Sequence, residues 1–274
     1  MTLRSRLFPY AVVIPFAIVL AFPFFWMGIT SLKSNAQVYN PANTWHFHPT
    51  VASYGFLFHH TDYLRWLRNS SVVGLLVVLI TLAVAMPAGY ALARLAGRVG
   101  RGLGVGIFLT YLVPPTLLFL PLSRVIAQYL HLEDRLWALI VVYPSFTIPF
   151  AVWLMMGFFK AIPPELEDAA LIDGCSRLQA LVRVVFPISL PGILTVVIFT
   201  FSLVINEFVY AITFISGSMN RTLAVGVPTD LIRGDEYNWP GIMGAIVLVS
   251  VPLALVYNAL LNRFIAGFTG GAFR

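Results

Sequence analysis

Residues 71–95 read SVVGLLVVLITLAVAMPAGYALARL, a run in which Arg94 is the only charged residue and stands at the C-terminal end. A helix needs about 20 mostly apolar residues to cross the hydrocarbon core of a bilayer. This stretch meets that requirement without a polar interruption and predicts a membrane-spanning helix. Working outward, residues 8–30, 106–130, 137–159, 188–215 and 241–261 are apolar runs of comparable length. The expected fold is therefore an all-α polytopic membrane protein with six transmembrane helices, and residues 1–274 form a single membrane domain. The first run follows Arg4 and Arg6, as a secretion signal would. It is longer than a signal's apolar core and has no small-residue cleavage site, so it is read as a retained span.

The composition agrees. Of 274 residues, 59% are hydrophobic and 10% charged, with a mean hydropathy of +0.87. Soluble domains carry about 45–50% apolar and about 25% charged residues, so a water-soluble enzyme, a disordered tail and a fibrous protein are excluded. One cysteine, Cys175, leaves no disulfide framework and no cysteine-based metal cage. The net charge of +6 lies between the apolar runs, where cytoplasmic loops collect Lys and Arg. The charge thus points to membrane lipid and not to nucleic acid. With the N-terminus inside, the inner segments hold ten Lys and Arg residues and the outer ones seven. Arg94, Arg98 and Arg101 share one short inner loop, and both termini are expected in the cytoplasm. Pro114, Pro115 and Pro121 in the third run and Pro144 and Pro149 in the fourth each remove a backbone donor. They fit a bundle of bent helices that opens and closes, and equally the general abundance of proline in membrane helices.

The segment between the fourth and fifth runs is the least membrane-like part of the inner surface. Residues 162–177 read IPPELEDAALIDGCSR. Proline is favoured at the first helical position, and carboxylates suit the positive end of the helix dipole. Gly174 stands where a left-handed cap would end the helix, so residues 164–173 predict a short helix. Spacing of three and four puts Leu166, Ala169, Ala170 and Asp173 on one face, which the alanines make smooth. A second apolar stripe follows, made of Leu178, Leu181, Val182 and Val185. Residues 160–187 thus form a loop that either lies on the membrane surface or docks a partner.

The string Asp168-Ala169-Ala170-Leu171-Ile172-Asp173-Gly174 resembles the "EAA" loop of permease subunits of ATP-binding-cassette importers. Ile162-Pro163, Glu165-Leu166, Phe186-Pro187 and Leu190-Pro191-Gly192 around it are similar to the family's carbohydrate branch. So are Ser31-Leu32-Lys33, Arg68-Asn69-Ser70, Tyr90-Ala91-Leu92-Ala93-Arg94, Asn206-Glu207-Phe208 and the C-terminal stretch 266–272. Asp168 departs from the motif's glutamate, shortening its reach, and Cys175 departs from the usual alanine.

The resemblance implies the type I importer permease fold of the maltose-type sugar permeases and a bacterial or archaeal plasma (inner) membrane. It implies that Glu165, Glu167, Asp168, Ala169, Ala170, Asp173, Gly174 and Arg177 couple the chain to a separate ATPase. The expected partners are a second, non-identical permease subunit, two ATPase subunits and an extracytoplasmic solute-binding protein. That protein would meet residues 33–69 and 216–240, while the tail at 267–274 would lie near the ATPases. ATP and magnesium would belong to the ATPase: Lys33 and Lys160 are the only lysines, and neither lies in a glycine-rich phosphate loop. No catalytic residue and no metal ligand is expected on this chain. The five histidines (His46, His48, His59, His60 and His131) fall in outer segments with no acidic cluster beside them.

Glu207, next to Asn206, is an ionisable residue well inside an apolar run, and such residues mark functional sites. The pair either lines a translocation path and bonds solute hydroxyls or makes a structural contact to a neighbouring helix. Two functional readings remain beside a sugar importer. One is an ion- or proton-coupled secondary carrier using Glu207. The other is an importer of the same kind for a polyol or sugar phosphate.

Overall fold

The computed structural model describes residues 3–272, which are predominantly helical. The first apolar run is α1 (Leu3–Ser31), followed by two shorter helices, α2 (Asn35–Val38) and α3 (Ala52–His60). The second run is α4 (Tyr63–Tyr90), which continues as a π-helical turn over Ala91–Leu95. The third run is divided between α5 (Gly97–Tyr111) and α6 (Phe119–Arg124), with a second π-helical turn at Val125–Tyr129. The fourth consists of α7 (Leu136–Val142) and α8 (Pro144–Ala161).

After these come α9 (Glu165–Ile172), α10 (Arg177–Ala180), a π-helical turn at Leu181–Val185 and α11 (Phe186–Ile188). The fifth run is α12 (Leu190–Ile205) and α13 (Val209–Phe214). Then α14 (Leu223–Leu231) leads into a small antiparallel hairpin of β1 (Ile232–Arg233) and β2 (Glu236–Tyr237), in which Ile232 faces Tyr237. The last helix, α15 (Trp239–Ala272), takes in the sixth run.

Among the described residues, four helical stretches are long and apolar enough to cross a membrane: Val13–Ser31, Tyr63–Leu95, Leu136–Ala161 and Trp239–Ala259. A fifth is the pair Arg177–Ile188 and Leu190–Ile205, bent by 72°. Two of the six apolar runs are interrupted. The third run is not one helix. Leu112 and Val113 close α5 with three-residue turns, and Pro114 and Pro115 then offer no N–H to continue it. The fifth run bends at Ser189, whose hydroxyl bonds Val185 O at 2.8 Å, and stops at Asn206. Apolar composition continues across both breaks, so hydropathy alone does not register them.

The arginine-rich loop between the second and third runs is also folded. Gly97 takes a positive φ of 52° and turns the chain from the π-helical turn directly into α5. Arg94 therefore lies in one element and Arg98 and Arg101 in the next. Residues 273–274 of the tail lie outside the described residues.

The chain divides into two compact units. In the first, Met1–Leu64 with Val227–Ala254, Ser31 Oγ lies 2.7 Å from the Tyr54 hydroxyl, and Tyr63 donates to Ala245 O at 3.0 Å. Lys33 is buried there. It donates to Thr44 O at 2.8 Å beneath the faces of Trp26 and Phe47, and burial lowers its pKa from the usual value.

The second unit, Arg65–Gly226 with Leu255–Arg274, has two apolar cores. One gathers α7, α13 and the middle of α4 around Val77, Leu139, Tyr143 and Phe214. The other joins the end of α4 to α8 and the π-helical turn Leu181–Val185, around Met155, Phe159 and Val185. Polar anchors fix the second unit: Asn69 Nδ2 donates to Met219 O and Arg221 O, both at 3.0 Å, and Leu223 N donates to Ser70 Oγ at 2.8 Å.

Candidate functional site

Two places bring the candidate residues together, and both lie in the second unit. The first is α9. Ile162 is extended, as a residue before proline must be, and the chain re-enters a helix at Glu165. Glu165, Glu167 and Asp168 occupy the first turn, where unpaired N–H groups favour negative charge. At the other end Cys175 N donates to Ala170 O at 3.0 Å and Gly174 N to Leu171 O at 3.1 Å, with Gly174 at a φ of 88°. These two bonds form a Schellman closure. Ser176 at once caps α10 through a reciprocal bond pair with Gln179, at 3.3 and 2.9 Å. α9 is thus closed at its C-terminal end and lies within one residue of the bounds expected from the sequence.

Its faces differ from expectation in one respect. Leu166, Ala169 and Asp173 are exposed as one surface, but Ala170 turns inward with Glu167. The sets 166/169/170/173 and 167/170/171 both satisfy helical spacing. Packing against the segment that follows selects the second as the buried side. Glu165, Asp168, Gly174 and Arg177 are exposed, and Ile172 is 85% exposed. The following stripe divides as well: Leu181 and Val185 are buried while Leu178 and Val182 face out. The π-helical turn shifts these residues off the 3.6-residue period.

Glu167 is the inward exception among the carboxylates, and only 7% of it is exposed. Its Oε1 accepts from the Tyr90 hydroxyl, and its Oε2 lies 3.5 Å from Arg94 Nε. Arg94 Nη2 in turn donates to Ile162 O at 2.6 Å, where the chain leaves α8. Removing one partner of a buried ion pair costs about 3–5 kcal/mol, because the other charge stays behind. Tyr90 and Arg94 were not among the residues expected to act on this loop. The available signal was a Tyr and an Arg four apart, with Arg94 the only charge in its apolar run.

The second place is a cleft of about 740 Å³ among α5, α8, α12 and α13, lined by Tyr111, Phe146, Phe199, Asn206, Glu207 and Tyr210, among others. Its walls are mostly apolar with a few polar groups, the usual make-up of a small-molecule site. Phe146 and Tyr210 stack at 6.0 Å with planes 6° apart, and the rings of Phe150 and Phe199 lie 4.0 Å apart, tilted by 30°. Glu207 does not lie within a continuous helix. Its Oε1 accepts from Tyr210 N at 3.0 Å and its Oε2 from Ala211 N at 3.1 Å, so it caps α13. Oε2 also accepts from the Tyr143 hydroxyl at 2.8 Å. Asn206 is exposed, and its Nδ2 donates to Ser202 O at 2.8 Å. Among the described residues no three His, Cys, Asp or Glu side chains gather as metal ligands would.

Residues 85–269 match the family model described as the binding-protein-dependent transport system inner membrane component. The chain is 35% identical to the sulfoquinovosyl glycerol transport system permease protein SmoH of Agrobacterium fabrum, over 92% of this chain and 88% of that one. It is 28% identical to the trehalose/maltose transport system permease protein MalG of Thermococcus litoralis, over 94% and 93%. Its fold is similar to that of a chain in a bacterial ABC transporter involved in import of the acidic polysaccharide alginate. That likeness has a TM-score of 0.76 at 21% identity, covering 96% of this chain and 98% of the other. Family membership favours a subunit of a multi-part transport system over a self-sufficient carrier built on Glu207. With two thirds of its length inside the family model and a relative 35% identical over 92% of it, the chain belongs to the binding-protein-dependent transport system inner membrane components.

Proposed function

We propose that this chain is one of two membrane subunits of an ATP-driven importer for a saccharide or related glycoside, with both termini in the cytoplasm. Residues 1–274 act as one permease domain, and residues 160–187 are its coupling loop. A second, non-identical permease completes the path, two ATPase subunits drive it, and an extracytoplasmic binding protein delivers the solute. The observation that carries this reading is α9: a short helix with carboxylates in its first turn and a Schellman closure at its end, with Leu166, Ala169, Ile172 and Asp173 exposed together. Such a rigid projection with an acidic rim suits a groove on a separate protein. The sugar class rests on relatives named for sulfoquinovosyl glycerol, diacetylchitobiose and trehalose/maltose transport.

The cleft at Asn206 and Glu207 is the proposed solute path. Flat aromatic faces carry negative electrostatic potential and suit the C–H faces of a sugar ring. One Asn206 Nδ2 hydrogen is used by Ser202, which leaves the second for a solute hydroxyl.

The test is uptake by the complete importer in liposomes. Uptake is expected to need ATP and the binding protein and to survive collapse of the membrane potential by an ionophore. Uptake by this chain alone, lost with the potential, would overturn the reading in favour of a carrier. Competition by polyols or sugar phosphates in place of glycosides would redraw the solute class only.

A further inference from the structure

We infer that Glu167 is a positioning residue that ties α9 to the second membrane helix, so that a push on the coupling helix reaches α4 directly. This rests on the proposed docking of α9 and adds the route by which its motion enters the bundle. The chain itself joins α9 only to the fourth and fifth runs, α8 on one side and α10–α12 on the other. The Glu167 carboxylate adds a third connection. It faces away from the exposed docking surface and is held by Tyr90, the residue before the π-helical turn Ala91–Leu95 at the end of α4, and by Arg94 within that turn. Arg94 also grips Ile162 O, so one guanidinium clasps α4, the exit of α8 and α9.

The surroundings are stiff. Leu92, Met155, Phe159, Leu181 and Val185 pack in one apolar core beside the clasp, and a Cβ on Gly89 would meet the Met155–Met156 backbone within 3.2 Å. A buried carboxylate held between a hydroxyl and a guanidinium has no low-energy alternative partner in such a core. The end of α4 and α9 therefore move as one body. π-helical turns of this kind recur at functional sites; this one gives α4 a segment that can follow α9 while the rest of the helix stays in its own core.

The experiment uses the complete importer in proteoliposomes and reads solute moved per ATP hydrolysed. Glu167→Gln is expected to lower that ratio by roughly an order of magnitude while the ATPase subunits still co-purify. Glu167→Asp and Tyr90→Phe, which keep the packing, should lower it by less. Spin labels at Leu95→Cys and Ile172→Cys in a Cys175→Ser background give the direct readout. With Glu167 present the pair keeps one unchanged distance with and without trapped ATP, and in Glu167→Gln the distribution broadens. An unchanged ratio in all three variants, or a wild-type label distance that changes through the nucleotide cycle, overturns the proposal. If Asp173→Lys uncouples transport and the Glu167 variants do not, the tie alone fails. If Asp173→Lys transports fully, the docking reading fails instead.

Discussion

Tyr143, between α7 and α8, donates its hydroxyl to Glu207 Oε2 at 2.8 Å, and the same carboxylate receives the amides of Tyr210 and Ala211 at the start of α13. An ionised carboxylate has about four acceptor positions, so three donors use most of them. Much of Glu207's hydrogen-bonding capacity therefore holds the break between α12 and α13 in shape, with little left for a solute.

Glu207→Gln retains one acceptor oxygen and turns an NH₂ group towards a donor. An unsatisfied buried group costs about 1–3 kcal/mol, and a lower unfolding temperature in detergent is the expected outcome. Uptake should fall in step with stability. A variant as stable as the parent with lost uptake would instead place the carboxylate in direct contact with solute.

The hydroxyls of Thr81 on α4 and Thr147 on α8 lie 2.7 Å apart, and both residues are fully buried. Thr81→Val or Thr147→Val alone strands the other hydroxyl, and each is expected to destabilise by about 1–3 kcal/mol. The double variant removes both polar groups and should recover most of that loss. Thermal unfolding of the four proteins forms a double-mutant cycle with a coupling of roughly 1 kcal/mol or more.

Gly89 and Gly28 look alike in the sequence but occupy different surroundings. A Cβ on Gly89 would lie 2.9 Å from Met155 Cβ and 3.0 Å from Met156 N, whereas one on Gly28 meets nothing within 4 Å. Gly89→Ala must push α4 off the α8 backbone, with an expected loss of about 1–3 kcal/mol. Gly28→Ala gains about 0.5–1 kcal/mol of helix preference. Unfolding midpoints that move in opposite directions would confirm the contrast.

The membrane class was legible in residues 71–95, and the ends of α9 in Pro164 and Gly174, because each is a local effect of composition or backbone freedom. The buried side of α9 was not. Glu167 stands among the residues expected to couple to the ATPase, yet its partners Tyr90 and Arg94 come from a distant part of the chain. The same holds for Glu207. Apolar residues continue on both sides of Asn206, so the run looks like one span, while the helix stops there and Glu207 accepts from the first amides of the next. The break at Pro114 was visible as a proline pair, but a hydropathy window averages over two residues and continues. What escaped the sequence was in each case a pairing between distant elements or a break too short to change composition.

Gly174 offers a graded test of the coupling role proposed for α9. At a φ of 88° it permits the two bonds that close α9, and no atom lies within 4 Å of where its Cβ would be. Substitution there is thus a question of backbone strain and not of collision. Gly174→Asn should be tolerated best, since asparagine visits the left-handed region, and Gly174→Ala should lose about 1–2 kcal/mol locally. Gly174→Pro fixes φ near −65° and deletes the N–H that bonds Leu171 O. Solute moved per ATP is therefore expected to fall in the order Gly, Asn, Ala, Pro, with the protein still inserted in the membrane throughout. Equal coupling across all four would mean that the shape of the end of α9 has no part in transmitting the stroke.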